Sequence, residues 1–146
     1  MTSVEPRADS VAAEYRAIIE AWADALGSGD IDRAISYLAP DYVGHVTAMP
    51  QPVQGPEAFK GMFMAFIRPA FPDQKITIER QVVHDDRIAV QMSWTATHLG
   101  PFLNIPPTNR RIQVTGTGIF RIVGGRIAEE WMLEDFLGIY QQLTQG

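Results

Sequence analysis

The chain has 146 residues, of which 46% are hydrophobic and 20% charged, a composition typical of one globular domain rather than of a disordered or fibrous chain. With 12 Lys and Arg against 17 Asp and Glu, its net charge of -5 disfavours nucleic acid and anionic membranes as partners. The sequence has no Cys, which excludes disulfides, thiolate metal sites and a Cys nucleophile. It shows no signal peptide and no apolar run of transmembrane length, so we expect a cytoplasmic protein.

The first part of the chain predicts two helices. Apolar residues recur at the spacing of one helix face: Val11, Tyr15, Ile18, Trp22 and Leu26. Asp9 or Ser10 suits the start of this helix, and Gly27 and Gly29 suit its end. Asp30 is placed to cap a second helix, whose predicted buried face is Ile31, Ala34, Ile35 and Leu38. We expect residues 1–9 to form a disordered tail and residues 10–146 to form a single domain.

A third helix is predicted after a loop rich in proline and glycine. Residues 41–46 have the pattern of a short extended segment. Pro56 has the fixed φ that suits the first turn of a helix. The predicted apolar stripe of this helix is Phe59, Met62, Phe63 and Phe66.

The second half of the chain predicts four antiparallel strands. From Lys75 the apolar period changes to two, and Asp85 and Asp86 supply a turn before a strand over 87–98. Three prolines place residues 99–109 in a loop. A glycine pair at 124 and 125 joins strands over 110–123 and 126–133, and residues 136–143 form a short amphipathic segment.

This order of elements predicts an α+β fold. We expect a curved antiparallel sheet wrapped over three helices, a cone whose interior leaves room for an apolar pocket.

One segment carries a specific family resemblance. Residues 97–111 read THLGPFLNIPPTNRR and resemble the T-H-x-G-x-F-x-x-I-P-P-T-G-R segment of SnoaL-like polyketide cyclases. Shorter matches are Phe71-Pro72-Asp73, Gly125-Arg126-Ile127, Trp131, Asp135, Leu137-Gly138 and Gln142-Leu143. The resemblance implies the NTF2-like cone, in agreement with the order of elements.

The resemblance does not supply the catalytic groups. Well-studied members of the family close a ring of an aromatic polyketide by aldol condensation, without metal or organic cofactor, using a pocket Asp beside a His and a Gln. The resemblance places these groups on Met132, Gly118 and Gly116 of this chain. None of the three can transfer a proton, and the two glycines are expected to widen the pocket.

Carboxylates flank the position of the missing acid. If Met132 faces the pocket, strand alternation places Glu130 and Glu134 on the same face. An apolar environment there would raise their pKa values and suit them to proton transfer. The alternative is that Glu134 lies at the pocket rim while Glu130 pairs with Arg121 or Arg126.

Three further residues are candidates for polar roles. His98 ends the second long strand, where it is either a hydrogen-bonded structural residue or a general acid or base at the pocket mouth. Tyr42 and His45 lie on the short strand after the second helix, and a Tyr hydroxyl there can donate to a substrate oxygen. For both of these the alternative is a structural role.

The candidate site therefore has a catalytic and a binding part. The catalytic candidates are His98, Glu130, Glu134 and Tyr42. The residues expected to bind an apolar substrate are Trp22, His45, Phe59, Phe63, Met92, Trp94, Gly116, Gly118 and Met132. The three histidines lack the pairing that metal sites use, so we expect neither a metal nor an organic cofactor.

Three functions fit these residues. The first is a cofactor-independent cyclase or isomerase that acts by acid/base chemistry on an apolar polyketide-like molecule. The second is an epoxide-opening cyclase or hydrolase. The third is a non-catalytic small-molecule-binding protein of the same family.

The other face of the sheet carries Thr115, Thr117, Ile119, Trp131 and Leu133. A surface of this kind needs a cover, which predicts a homodimer.

Overall fold

The computed structural model describes residues 4–145, with side chains from residue 9 onward. The helices are α1 (Val4–Ser28), α2 (Ile31–Ile35), α3 (Pro56–Met62), which continues as a π-helical turn over Phe63–Ile67, and α4 (Phe136–Thr144). The strands are β1 (Leu38–Val46), β2 (Val53–Gln54), β3 (Lys75–His84), β4 (Arg87–Thr97), β5 (Arg111–Val123) and β6 (Arg126–Glu134).

All six strands form one sheet in the order β2-β1-β6-β5-β4-β3. The β1–β6 pair is parallel, and the other neighbouring pairs are antiparallel. Helix α1 packs against β3, and α3 packs against β1. The helices therefore cover one face of the sheet, which is the α+β arrangement predicted from the sequence.

The core divides into two clusters on this inner face. The larger cluster joins the helices α1 to α3 to the sheet through residues such as Ile19, Phe59 and Phe120. The smaller cluster lies under α4 and includes Phe71 and Ile139. Strand alternation places both clusters on the inner face, because every second residue of β5 from Ile112 to Ile122 is buried and its neighbours are not.

Several predicted boundaries are confirmed. Asp30 caps α2 by accepting a hydrogen bond from the Arg33 backbone N–H, at 3.2 Å. Pro56 occupies the first turn of α3. Gly124 and Gly125 form the turn between β5 and β6 with positive φ angles of 58° and 77°, the conformation that a two-residue hairpin requires.

Three predicted boundaries are wrong. Helix α1 begins at Val4 rather than near Ser10, because Pro6 falls in the first turn, where its missing amide hydrogen breaks no helical bond. Residues 4–9 of the predicted tail are therefore helical, and residues 1–3 lie outside the described residues. Leu38 begins β1 instead of ending α2, because Pro40 disfavours helical geometry just before it. The predicted loop before α3 contains the short strand β2.

The outer face of the sheet carries exposed apolar side chains. Leu133 is 71% exposed and Ile119 is 42% exposed. The homodimer that would cover them stays a prediction. Among residues 4–145, no helix has the length and apolar character needed to cross a membrane.

Candidate active site

An inner cavity of about 90 Å³ lies between the helices and the concave face of the sheet. Aromatic and aliphatic side chains form most of its wall. The complete lining is Trp22, Leu26, Val46, Thr47, Phe59, Met62, Phe63, Ile67, Gln74, Ile76, Met92, Trp94, Glu130, Met132, Glu134 and Phe136. No Lys, Arg or His belongs to this wall within the described part of the chain.

Glu130 is a fully enclosed carboxyl in this cavity wall. Its side chain is only 2% exposed, and it accepts a hydrogen bond from the Tyr42 hydroxyl. Burial raises the pKa of Glu130 to about 7, because the charged form loses hydration, and the nearby Glu134 charge acts in the same direction. The Tyr42 hydrogen bond opposes this shift. Glu130 is thus able to hold or release a proton near neutral pH.

Glu134 is the second carboxyl of the wall. The indole N–H of Trp94 donates to its Oε2 atom at 2.9 Å. Thr47 fixes its backbone, since the Glu134 N–H donates to Thr47 Oγ1 at 2.8 Å and that hydroxyl donates to the Met132 carbonyl at 3.1 Å. Burial also raises the pKa of Glu134, while the Trp94 hydrogen bond acts against the shift.

Strand alternation places Glu130, Met132 and Glu134 on one wall, as predicted. A register shift between β5 and β6 occurs before Glu129, so it leaves this alternation intact. The alternative pairing of Glu130 with Arg121 is wrong. Arg121 instead donates to Glu129 on the opposite face, at 3.3 Å.

Tyr42 acts on the site through Glu130. It is fully buried, and its hydroxyl is engaged by the carboxylate. This contact corrects the predicted role of donor to a substrate oxygen. Gly44 makes the arrangement possible, because a Cβ atom at that position would lie 2.2 Å from the Tyr42 hydroxyl oxygen.

Gly116 and Gly118 do not widen the cavity. A Cβ atom at Gly118 would lie 2.6 Å from the Met132 methyl group, and one at Gly116 would lie 3.2 Å from Cγ of Glu134. Each glycine pairs across β5 and β6 with the residue that covers it. The space left by the missing side chains is therefore filled from the neighbouring strand, and neither glycine belongs to the cavity wall.

His98 lies outside the cavity wall. It is fully buried, and its Nδ1 atom accepts the Thr108 backbone N–H at 3.1 Å. This bond closes the loop after β4 and leaves the ring proton on Nε2 in the neutral form. Burial lowers the pKa of His98, because the charged ring is poorly hydrated there. These contacts fit the structural alternative, and a catalytic role for His98 stays a prediction.

His45 faces the other side of the sheet. Its Nε2 atom lies 2.8 Å from Glu129 Oε2, and its ring stacks on Trp131 with a centroid distance of 5.7 Å. Tyr42 and His45 are three residues apart on one strand, so alternation sends them to opposite faces. The expectation that His45 binds substrate in the cavity is not supported by this placement.

The other predicted binding residues lie in the wall. They are Trp22, Phe59, Phe63, Met92, Trp94 and Met132. Thr47 and Gln74 also line the cavity and were not predicted, because they lie in connecting segments where no apolar period marks the inward positions. No cluster of three or more potential metal ligands occurs in the described residues.

A second, wider space adjoins the inner cavity. This outer groove has a volume of about 560 Å³ and shares Thr47, Met62, Ile67 and Phe136 with the inner wall. Its remaining lining is Ala48, Met49, Pro50, Ala65, Phe66, Pro101, Phe102, Leu103 and Asn104. None of these side chains is charged, and Phe66 is 57% exposed. The groove is an apolar vestibule to the two carboxyls.

Comparisons with known proteins agree with this architecture. The sequence profile of the family described as SnoaL-like polyketide cyclase matches residues 16–143. A nogalonic acid methyl ester cyclase of Streptomyces nogalater is 27% identical over 122 residues, covering 82% of this chain and 89% of that protein.

Solved structures show the same fold. IdmH from Streptomyces antibioticus superposes with a TM-score of 0.78 at 29% identity, over 88% of this chain and 96% of its own. A protein from Catenulispora acidiphila with a ketosteroid isomerase-like fold reaches a TM-score of 0.74 at 16% identity, over 86% of this chain and 91% of its own. The fold is therefore the NTF2-like cone.

Proposed function

Because the chain belongs to the SnoaL-like polyketide cyclase family, we propose that it closes a carbon ring in a neutral aromatic polyketide ester, with Glu130 as the group that moves the proton. The family match and the curated relatives indicate polyketide cyclase activity. The observation that carries the proposal is the enclosed Glu130 carboxyl in a wall that is otherwise mostly apolar.

Glu130 is suited to both halves of a proton transfer. In its ionised form it takes a proton from the carbon next to a ketone, which leaves an enolate. The enolate carbon attacks a second carbonyl carbon of the same molecule, and a carbon–carbon bond forms while the carbonyl oxygen becomes an alkoxide. Glu130 returns the proton to that alkoxide. The product has the same mass as the substrate, and no oxidant or reductant is consumed.

The pKa of Glu130 supports this double role. A group acts best as acid and base when its pKa lies near the working pH, and burial raises the pKa of Glu130 to about 7. Tyr42 holds the carboxylate in place through its hydrogen bond, and so it is a positioning residue.

Glu134 binds a part of the substrate that lies away from Glu130. Four strand residues span roughly 13 Å, so Glu130 and Glu134 do not reach one atom from their own backbone positions. We assign to Glu134 a hydrogen bond with a substrate hydroxyl, since its carboxyl lines the cavity and Trp94 fixes its orientation.

The size of the two spaces sets the orientation of the substrate. Pockets for drug-sized ligands have volumes of roughly 300–1,000 Å³, and the inner cavity, at about 90 Å³, is too small for a polycycle alone. The reacting ring therefore enters the inner cavity, and the rest of the molecule lies in the outer groove of about 560 Å³.

The charge of the walls favours an ester over a free acid. Neither lining contains a cationic side chain among the described residues, and the inner wall carries two carboxyls. A carboxylate on the substrate would lose its hydration without gaining a partner. An esterified substrate avoids this penalty, and the Streptomyces nogalater relative is likewise named for a methyl ester.

The test is a product analysis by liquid chromatography with mass detection. The probes are aromatic polyketide methyl esters that carry a side-chain ketone, each paired with its free acid. We expect the ester to give a product of unchanged mass and new retention time, and the acid to react at least tenfold more slowly. The Glu130→Gln/Glu134→Gln double variant is the control for uncatalysed closure. Addition of one water, or saturable binding of every ester without conversion, would overturn the proposal.

A further inference from the structure

Two buried polar side-chain atoms of residues around the inner cavity have no hydrogen-bond partner among the described residues. Trp22 on α1 is 3% exposed, and Gln74 before β3 is 7% exposed; both residues line the cavity. The Trp22 Nε1 and Gln74 Oε1 atoms are buried, and no group in the described part of the chain forms a hydrogen bond with either. One is a donor and the other an acceptor.

Buried polar atoms without a hydrogen-bond partner, such as Trp22 Nε1 and Gln74 Oε1, are rare in folded proteins. Buried donors and acceptors in folded proteins nearly always have a hydrogen-bond partner, because losing water without a replacement is costly. The other polar side chains of this wall follow the rule, since Tyr42 bonds to Glu130 and Trp94 bonds to Glu134.

Trp94 is the informative comparison for Trp22. Both are tryptophans in the wall of the same cavity. The indole N–H of Trp94 has a carboxylate partner at 2.9 Å, whereas that of Trp22 has none. The Trp22 ring is held edge-on against Phe120, with a centroid distance of 5.3 Å. Packing therefore keeps an unused donor in place.

We propose that Trp22 and Gln74 complete their hydrogen bonds with the oxygen atoms of the substrate, Trp22 donating to a ketone oxygen and Gln74 accepting from a hydroxyl group. This pair suits a ligand that presents a ketone oxygen and a hydroxyl group to these two atoms. This inference rests on the proposed function and deepens it, because the ketone oxygen becomes negatively charged when Glu130 removes the neighbouring proton. A fixed donor at that oxygen binds the enolate more strongly than the ketone, which speeds its formation.

The first test measures binding without turnover. Two probes of similar shape, 2-acetylnaphthalene and 2-isopropylnaphthalene, differ in the carbonyl oxygen. Isothermal titration calorimetry with the wild-type protein should show tighter binding of the ketone. Trp22→Phe keeps the aromatic packing and removes the donor. It should therefore weaken the binding of the ketone roughly 3- to 10-fold, as expected for one lost hydrogen bond. The affinity for the hydrocarbon should not change. Trp131→Phe, on the outer face, is the matched control.

The second test separates a functional from a structural role. Gln74→Leu keeps a similar volume and removes the unpaired acceptor, so its Tm should equal or exceed that of the wild type. Its turnover of the hydroxylated ester should fall about tenfold, with the loss confined to substrates that carry the hydroxyl. A fall in Tm together with an equal loss for every substrate would assign Gln74 to packing and overturn its part in the inference.

The outcomes also distinguish this inference from the proposed function. If Glu130→Gln abolishes turnover while Trp22→Phe and Gln74→Leu leave turnover and probe binding unchanged, the inference fails and the cyclase proposal stands. If the wild type binds the ketone selectively through Trp22 but converts no ester, the cyclase proposal fails and the binding site stands.

Discussion

Two consecutive glutamates on β6 have opposite pKa shifts because they lie on opposite faces of the sheet. Glu130 faces the cavity, where burial raises its pKa to about 7. Glu129 faces the outer side, where hydrogen bonds from His45 and Arg121 lower its pKa. Residue type and strand are the same, and the environments differ because successive side chains of a strand point to opposite faces.

The partner groups of each glutamate, rather than the carboxyl itself, therefore assign its role. Glu129 has a partly exposed guanidinium and an imidazole beside it, at 3.3 and 2.8 Å. Glu130 has a neutral hydrogen-bond donor, Tyr42, and a mostly apolar wall without a cationic side chain among the described residues. A carboxylate that accepts hydrogen bonds beside a guanidinium stays ionised, whereas an enclosed one without a cation can exchange its proton at neutral pH.

The largest expected effect is on turnover. Glu130→Gln should lower kcat by about 10²- to 10⁴-fold, the range for loss of a general acid or base. Glu129→Gln, the matched control one residue away, should stay within about twofold of the wild type. Steady-state kinetics of the two variants with the same ester measures the contrast. Equal activities would show that the buried carboxyl moves no proton in the reaction.

The next effect is the pH dependence of stability. The pKa of Glu130 is raised from 4.5 to about 7 in the folded protein, so the folded state holds a proton that the unfolded chain releases in this interval. Its contribution to stability is complete below pH 4.5 and is lost as the pH rises to about 7. The loss is on the order of 2 to 3 kcal/mol.

Glu129 should behave in the opposite way. Its pKa is lowered in the folded protein, so its contribution is present at neutral pH and is lost on acidification through that pKa. Urea unfolding at pH 5 and pH 8 compares the wild type with each variant, which cancels the contributions of Glu134 and His98. Glu130→Gln should remove much of the decline toward pH 8, and Glu129→Gln should retain it. The same pH slope in Glu130→Gln and wild type would contradict the raised pKa.

Tyr42→Phe sharpens the contrast by removing the hydroxyl that donates a hydrogen bond to Glu130. The Tyr42 hydrogen bond lowers the pKa of Glu130, so its loss should raise that pKa further, by about 1 to 2 units. Less of the carboxylate is then ionised at pH 7, and kcat should fall roughly tenfold there and recover toward pH 9.

A pH–rate profile measures this shift. Tyr140→Phe, at a Tyr that is 49% exposed on α4, is the control and should leave the profile unchanged. If Tyr42→Phe lowers kcat equally at every pH, the hydroxyl does not tune the carboxyl.

The smallest expected effect is on KM. It contrasts two exposed apolar residues, one in the outer groove and one on the outer face of the sheet. Phe66 lines the outer groove and is 57% exposed, whereas Leu133 is 71% exposed on the outer face. Phe66→Ala should raise KM for a polycyclic ester about 3- to 10-fold and leave kcat unchanged. Leu133→Ala should change neither, and the stability of both variants should stay within about 0.5 kcal/mol of the wild type. Equal KM values in both variants would remove the groove from the binding site.

The strands of the sheet and the inward direction of Glu130 and Glu134 could be predicted from the sequence, because both depend on a period of two residues. In β6 the alternation is regular from Glu129 to Glu134, and the register shift lies before it. The same rule, applied to Tyr42 and His45, would have placed them on opposite faces. The predicted start of α1 rests on Asp9 or Ser10 as caps, whereas Pro6 also fits the first turn of a helix that begins at Val4. The predicted end of α2 includes Leu38, although Pro40 disfavours helical geometry just before it.

The remaining errors concern contacts between elements. The effect of a glycine on a cavity depends on whether a neighbour reaches across, and the reach of Met132 over Gly118 is a property of the pairing of β5 with β6. Thr47 and Gln74 lie in connecting segments, where the direction of a side chain depends on loop geometry. His98 keeps the motif position, and the Thr108 backbone that fixes it becomes visible only when the loop is folded.

The packing of Met132 over Gly118 also bears on how this cavity can evolve. Any side chain at position 118 must displace the Met132 methyl group and press on the ring of Phe120, 3.0 Å from the added Cβ. A short acidic residue at 132, taken alone, would leave unfilled space beside a glycine. The two positions are therefore sterically coupled: a side chain at 118 requires the flexible end of Met132 to move, and a shorter residue at 132 leaves space that a side chain at 118 can fill.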